Sequence, residues 1–166
     1  MRFAAPAAAL SLCLAMTASI SLAGSETGPD PRAEALIAQG QALLAAGEPQ
    51  AATDAFEAAL AVDPGYTPIF INLADAARQQ GLQGKAIRYY RDALERDPGN
   101  FAAISGEGAA LVEKGALEKA KKNLAKLQSL CGDSCPETVA LQSSIARGVP
   151  ARLAVESKAE NAPASN

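Results

Sequence analysis

One octapeptide recurs in this chain at a fixed distance. Ala59-Leu60-Ala61-Val62-Asp63-Pro64-Gly65-Tyr66 returns 34 residues later as Ala93-Leu94-Glu95-Arg96-Asp97-Pro98-Gly99-Asn100. Two further markers keep that period three times: Gly47, Gly81 and Gly115, and Ala52, Ala86 and Ala120. A period of this length, filled with helically spaced apolar residues, constrains the fold more than any other feature. One such unit cannot bury its apolar face alone, so the units must stack on one another.

The residues that recur define the unit. The first reads Leu36, Gly40, Leu43, Ala52, Phe56, Ala59 and Pro64. The second reads Phe70, Leu73, Ala74, Ala77, Ala86, Tyr90, Ala93 and Pro98, and the third Ile104, Gly108, Leu111, Ala120, Leu124 and Leu127. This pattern resembles the tetratricopeptide repeat, a helix–turn–helix unit, from about Pro31 to Leu130. The departures are Gly132 where the family has proline, Gln39 and Glu107 at a usually apolar position, and Ala77 at a usually large one. The resemblance implies an all-α fold: a right-handed α-solenoid of three repeats (about 33–66, 67–100 and 101–132) plus a C-terminal capping helix (135–147).

Elementary chemistry leads to the same helices. Small residues at Gly40, Ala74 and Gly108 let two helices approach closely. Gly47, Gly81 and Gly115 supply the positive φ that ends the first helix of each unit. Phe56, Tyr90 and Leu124 are the large side chains that fill the space between units, and Asp-Pro-Gly stops the second helix because proline cannot continue it. Helices are predicted at 32–46, 49–62, 67–80, 83–96, 101–114, 117–131 and 135–147, the last covering the end of the stack. Residues 24–31 read as a flexible linker and 148–166 as a disordered tail, both polar and Pro/Gly-bearing.

The segment before the repeats reads as an address. Arg2 precedes an uncharged run from Phe3 to Ala23, which ends in Ser21-Leu22-Ala23. This is the positive, apolar, small-residue order of a secretory signal peptide over 1–23, with cleavage expected after Ala23. The alternative is a retained anchor, since such a run could span a bilayer. A cleaved product is expected to be periplasmic or secreted, with no stable membrane insertion. It would keep only Cys131 and Cys135 in an oxidising compartment.

Composition removes several chemistries. The chain has no His, so a Ser-His-Asp or Cys-His pair and the H-E-x-x-H zinc site are out of reach. Its net charge of −3 speaks against nucleic acid, which requires a basic surface. Charge is uneven. Residues 24–80 carry eight acids and two bases, while 81–135 carry seven acids and nine bases. Lys114, Lys119, Lys121, Lys122 and Lys126 form a basic stretch, read either as a solvated helix face or as a docking patch for an acidic partner. Asp63, Asp75 and Asp97 are the acids that a hydrolase working with carboxylates alone would use, but Asp63 and Asp97 sit in the Asp-Pro-Gly stops and read as turn residues. No catalytic residue is assigned, and no enzyme activity, cofactor or resident metal is expected.

Cys131-Gly132-Asp133-Ser134-Cys135 lies between the last repeat helix and the capping helix. Gly132 can end one helix. Ser134 with Glu137 resembles a capping box for the next, and Pro136 is tolerated in its first turn. Three readings remain open: a structural disulfide, a redox-active pair, and two thiolates for a soft metal such as Cu(I).

In the family that this chain resembles, the first helices of the units line a concave groove that takes a peptide or a partner helix. By that resemblance the groove here would consist of Ile37, Gln41, Leu44, Ile71, Asn72, Asp75, Arg78, Ser105, Ala109 and Val112, although some of these could instead pack against the tails or the capping helix. A subtype of the family captures a C-terminal carboxylate with Lys, Asn and Arg. The matching places here are Ile37, Gln41, Asn72, Ala102 and Gly106, of which only Asn72 fits, so capture of that kind is not expected. The leading expectation is an exported scaffold or adaptor for protein assembly in the cell envelope, with a protein or peptide partner and an open oligomeric state. The alternative is a thiol-redox or copper-handling factor centred on Cys131 and Cys135.

Overall fold

The computed structural model describes residues 28–148. The expected signal peptide, most of the linker and all of the tail beyond Gly148 lie outside these residues. Among these residues seven helices follow in order: α1 (Pro31–Ala45), α2 (Pro49–Val62), α3 (Pro68–Gln79), α4 (Gln83–Arg96), α5 (Phe101–Glu113), α6 (Leu117–Cys131) and α7 (Pro136–Arg147). Each lies within one residue of the bounds expected from sequence. Among the described residues there is no strand. The helices pack as adjacent antiparallel pairs, and α7 lies against both α5 and α6.

The three intra-unit turns are built identically. Gly47, Gly81 and Gly115 take φ values of 79°, 77° and 81°. The residue after each glycine donates its N–H back to the helix it has left: Glu48 to Leu43 O at 2.9 Å, Leu82 to Ala77 O at 2.9 Å and Ala116 to Leu111 O at 2.8 Å. This is a glycine-dependent helix stop that satisfies otherwise orphaned carbonyls. The Asp-Pro-Gly stops work differently. Asp63 Oδ1 accepts the N–H of Gly65 at 3.2 Å, and Asp63 Oδ2 accepts the N–H of Asp30 at 3.0 Å. Arg96 donates to Pro64 O at 2.7 Å, and Lys126 to Pro98 O at 2.9 Å. Each proline turn is thus held by a cation one unit later, so Lys126 of the basic stretch has a structural partner. Lys121 likewise meets Glu118 at 2.8 Å on its own helix.

Two sequence expectations need correction at helix starts. Asp30 belongs to the fold and not to a linker: its Oδ1 accepts the N–H of Arg32 at 2.8 Å and caps α1, with Pro31 at the first helical position. Ser134 does not cap α7. The capping position is Cys135, extended at φ −61° and ψ 135°, and no side chain accepts a hydrogen bond there. Pro136 occupies the first turn, and its fixed φ suits that place.

The core runs as a chain of clusters along the stack. Ala33, Ile37, Ala52, Phe56, Ala59, Ile69, Leu73 and Ala76 close the first unit onto α3. Phe70, Ala74, Ala86, Ile87, Tyr90, Ala103, Ala110 and Leu111 continue it, and Ile104, Leu127 and Leu141 seal the end under α7. With aromatics at only 4% of the chain, close approach replaces bulk. A Cβ on Gly40 would overlap the Phe56 ring, and one on Gly108 would fall 2.6 Å from Leu141 Cδ2. Glu107, unusual for its position, is buried but satisfied. It pairs with Arg91 at 2.7 Å and accepts from Asn123 at 2.9 Å.

Candidate functional site: the concave groove

The first helices of the units, α1, α3 and α5, form one face of the stack, and α7 extends it. Recesses of about 410, 350 and 80 Å³ open along this face. The largest is lined by Leu44, Asp75, Arg78, Gln79 and Glu113. The second lies between Ile71, Asp75 and Tyr90 on one side and Ser105, Gly106, Pro136, Glu137 and Ala140 on the other. The smallest is bounded by Arg78, Ala109, Val112, Glu113, Ser144, Arg147 and Gly148.

At the centre stands an ionic cluster. The Arg78 guanidinium grips Glu113 with two hydrogen bonds, Nη2 to Oε1 at 2.6 Å and Nε to Oε2 at 3.2 Å. Its Nη1 lies 3.8 Å from Asp75 Oδ1, which also accepts the Tyr90 hydroxyl. Burial raises the Asp75 carboxyl above its usual range, against the opposing pull of the Tyr90 bond and the Arg78 charge. Burial, together with the charge of Asp75, holds the Tyr90 phenol well above its ordinary value. Burial works against the Arg78 cation, but the hydrogen bond to Glu113 and the surrounding anions outweigh it, so its pKa is raised. The bidentate pair ties α3 to α5 and sets the width of the groove. An acid whose carboxyl is raised by burial is compatible with ligand recognition as well as with structure.

The residues expected in the groove divide into three groups. Gln41 is exposed and Asn72 half-buried, and neither lines a recess, whereas Leu44, Ile71, Asp75 and Arg78 are half-buried on α1 and α3 and line the recesses. Ile37 is a correction: at 9% exposure it belongs to the first-unit core with Phe56 and Leu73, because the α1–α2 crossing turns it inward. Ser105 lines the second recess and Ala109 and Val112 the smallest, each with α7 as the facing wall. Val112 is 2% exposed and Ala109 8%, with α7 beside them, and Ser105 Oγ donates to Glu137 O at 3.1 Å. In the last unit, α7 takes part of the surface that a partner was expected to use.

Sequence reasoning missed Glu113, Gln79, Gly106, Glu137 and Ala140. Tyr90 was read only as a packing residue. Its ring does pack, against Gly106, where a Cβ would overlap it, but its hydroxyl emerges at Asp75. The 34-residue register carried one usable signal: Arg78 and Glu113 lie one unit plus one residue apart, on neighbouring first helices.

Next to the groove, Cys131 and Cys135 have adjoining sulfurs and Cα atoms 5.7 Å apart, a separation compatible with a bridge. Ligand atoms of Cys131, Cys135 and Glu137 lie within 4.8 Å of one another, and Thr138 Oγ1 is 3.6 Å from Cys131 Sγ. Two thiolates and one carboxylate form a donor set suited to a soft or borderline ion only with both sulfurs reduced.

A stack of helical hairpins with a concave face built from every first helix is the architecture of a solenoid interaction scaffold. The tetratricopeptide repeat pattern matches residues 37–101 and again 71–120, together about half of the chain. The chain belongs to the tetratricopeptide repeat family. It is 31% identical over 106 residues to the Protein CTR9 homolog of Arabidopsis thaliana, covering 63% of this chain but only 10% of that protein's length. Its fold is similar to the Sgt2 TPR domain from Aspergillus fumigatus, with a TM-score of 0.64 and 24% identity over 84% of this chain and 90% of that one. It is also similar to PcrH in complex with the chaperone binding region of PopB, with a TM-score of 0.62 and 18% identity over 72% of this chain and 97% of that one.

Proposed function

We propose that this protein is a non-enzymatic scaffold that binds a protein segment in the groove between α1, α3, α5 and α7, and that it works outside the cytoplasm. The observation that carries the reading is the groove itself: Asp75 lines both of its larger recesses, Arg78 and Glu113 line the largest and the smallest, and the second has mainly apolar walls. PcrH, which shares the fold, was solved bound to a region of another protein, and this supports a protein or peptide occupant here. The export reading rests on residues 1–23, and the Cys131–Cys135 pair fits an oxidising compartment as a disulfide. Among the described residues no helix is long and apolar enough to cross a membrane.

Photocrosslinking tests the groove. A benzophenone side chain in place of the exposed Gln41 or Gln79 should capture a defined protein in cell-envelope extracts, and the same probe at the exposed Lys122 on α6 should not. Equal labelling from both faces would reject the reading. Intact mass tests the address: a chain beginning at Gly24 supports export with cleavage after Ala23, and one retaining Met1 points instead to a retained anchor.

A second reading is carried by the Cys131, Cys135 and Glu137 cluster, namely a thiol-redox or copper-handling role. Cu(I) titration of the reduced protein checks it. Affinity no better than that of a Cys131→Ser variant would remove it.

A further inference from the structure

We infer that the groove's second recess is occupied, in the absence of a partner, by this chain's own segment Val149–Val155, with Leu153 in the recess and Arg152 beside its two carboxylates. This rests on the reading of the groove as a peptide site and adds its regulation: a partner must displace the tail.

Three observations converge. First, the chain leaves the helical stack inside the groove. Gly148 ends α7 at φ 71° and itself bounds the smallest recess, together with Val112 and Glu113 of α5. Second, the neighbouring recess has a definite chemistry. Ile71, Ala102, Gly106, Pro136 and Ala140 make it apolar, Asp75 and Glu137 are the charged residues that line it, and no Lys or Arg is among its lining residues. The Arg78 guanidinium near Asp75 is already committed to Glu113 by two hydrogen bonds. Such a recess selects an aliphatic side chain with a cation next to it. Third, the sequence after Gly148 reads Val149-Pro150-Ala151-Arg152-Leu153-Ala154-Val155, which holds that pair.

The register also fits. Ser105 lies beside Glu137 at the start of α7, and Val112 beside Ser144 near its end, so α5 and α7 run in the same direction. At about 1.5 Å per residue, the stretch from Gly148 back to Glu137 spans about 17 Å. An extended chain covers about 3.3 Å per residue, so about five residues make the return, and the fifth after Gly148 is Leu153. Pro150 biases the residue before it toward extended backbone, which suits that path.

The test uses the full chain and backbone amide NMR. Leu153→Asp should shift the amides of Ala102, Gly106 and Ala140, while Lys158→Glu should leave them in place. Arg152→Glu should produce a smaller shift in the same direction. A synthetic peptide spanning residues 149–158, added in excess to the L153D variant, should return those amides to their wild-type positions. Unchanged groove amides in L153D would overturn the inference, as would no response to the peptide. Shifts that grow with protein concentration would also overturn it, by placing another copy's tail in the recess. A failed partner capture from Gln41 or Gln79 with these shifts present would remove the partner reading alone.

Discussion

The first and last units of this stack follow the same pattern and close in different ways. In the first, Gly40 on α1 receives Phe56 from α2, so the unit seals itself. In the third, Gly108 stands at the equivalent place, but the side chain it meets is Leu141, which comes from α7. Leu124, at the position of Phe56, stays half-buried. An aliphatic side chain in place of a ring leaves room that the unit cannot fill, and the next helix fills it. The contrast shows why a solenoid needs a dedicated end. The last repeat's open surface is apolar, and a helix supplied from outside the repeat covers it. The same helix then becomes a wall of the groove, so capping and recognition share one element.

Several changes would break or sharpen this contrast. The largest effect is expected from Phe56→Ala, which removes a fully buried ring from the self-sealed unit. It should cost about 3–5 kcal/mol in a urea unfolding curve. Leu141→Ala also empties a fully buried position and should cost about 2–5 kcal/mol, but its signature should be local. Hydrogen exchange should rise along α7 before it rises in α1 and α2. Uniform exchange increases in both variants would mean that the two ends do not differ as described.

Next in size is the bridge proposed between Cys131 and Cys135. In the chain-entropy account, opening so short a loop costs about 2 kcal/mol. Reductant should therefore lower the denaturation midpoint of the wild type and leave a Cys131→Ser, Cys135→Ser double variant unmoved. Glu107→Ala should cost about 1–3 kcal/mol, because it strips Arg91 and Asn123 of a buried acceptor in the third unit.

The smallest effect concerns Asp75. Its carboxyl is raised in the folded state, with Tyr90, Arg78 and Glu113 as the titratable groups around it. The folded chain therefore holds that proton to higher pH than the unfolded chain does. Stability contributed by the protonated form is complete below the ordinary carboxylate value of 3.8 and is lost as pH rises from there through the raised folded-state value. Asp75→Asn should flatten this decline in a series of unfolding curves from pH 3 to 7, while the Tyr90 hydroxyl keeps an acceptor. An unchanged pH profile would show that the groove cluster does not couple to folding.

The repeat, the helix bounds and the turns were legible in the amino-acid sequence because each depends on residues close together in the chain. Glycine at the end of a first helix and Asp-Pro-Gly at the end of a second act within a few residues, and a second copy one period later makes the signal unmistakable. The groove was legible only in part. Leu44, Asp75 and Arg78 follow from register, whereas Ile37 turned into the core and Ser105, Ala109 and Val112 came to lie beside α7. Nothing local distinguishes a first-helix residue that faces solvent from one that a neighbour will cover.

What the sequence by itself determined is therefore the unit and its repetition, since short-range sterics and spacing dictate both. The tertiary structure alone decided where α7 sits, which acids gather around Arg78 and how much of the concave face stays open. Those outcomes depend on which shapes meet across tens of residues. Leu141 finds Gly108, and Arg78 finds Glu113, only when the stack is complete.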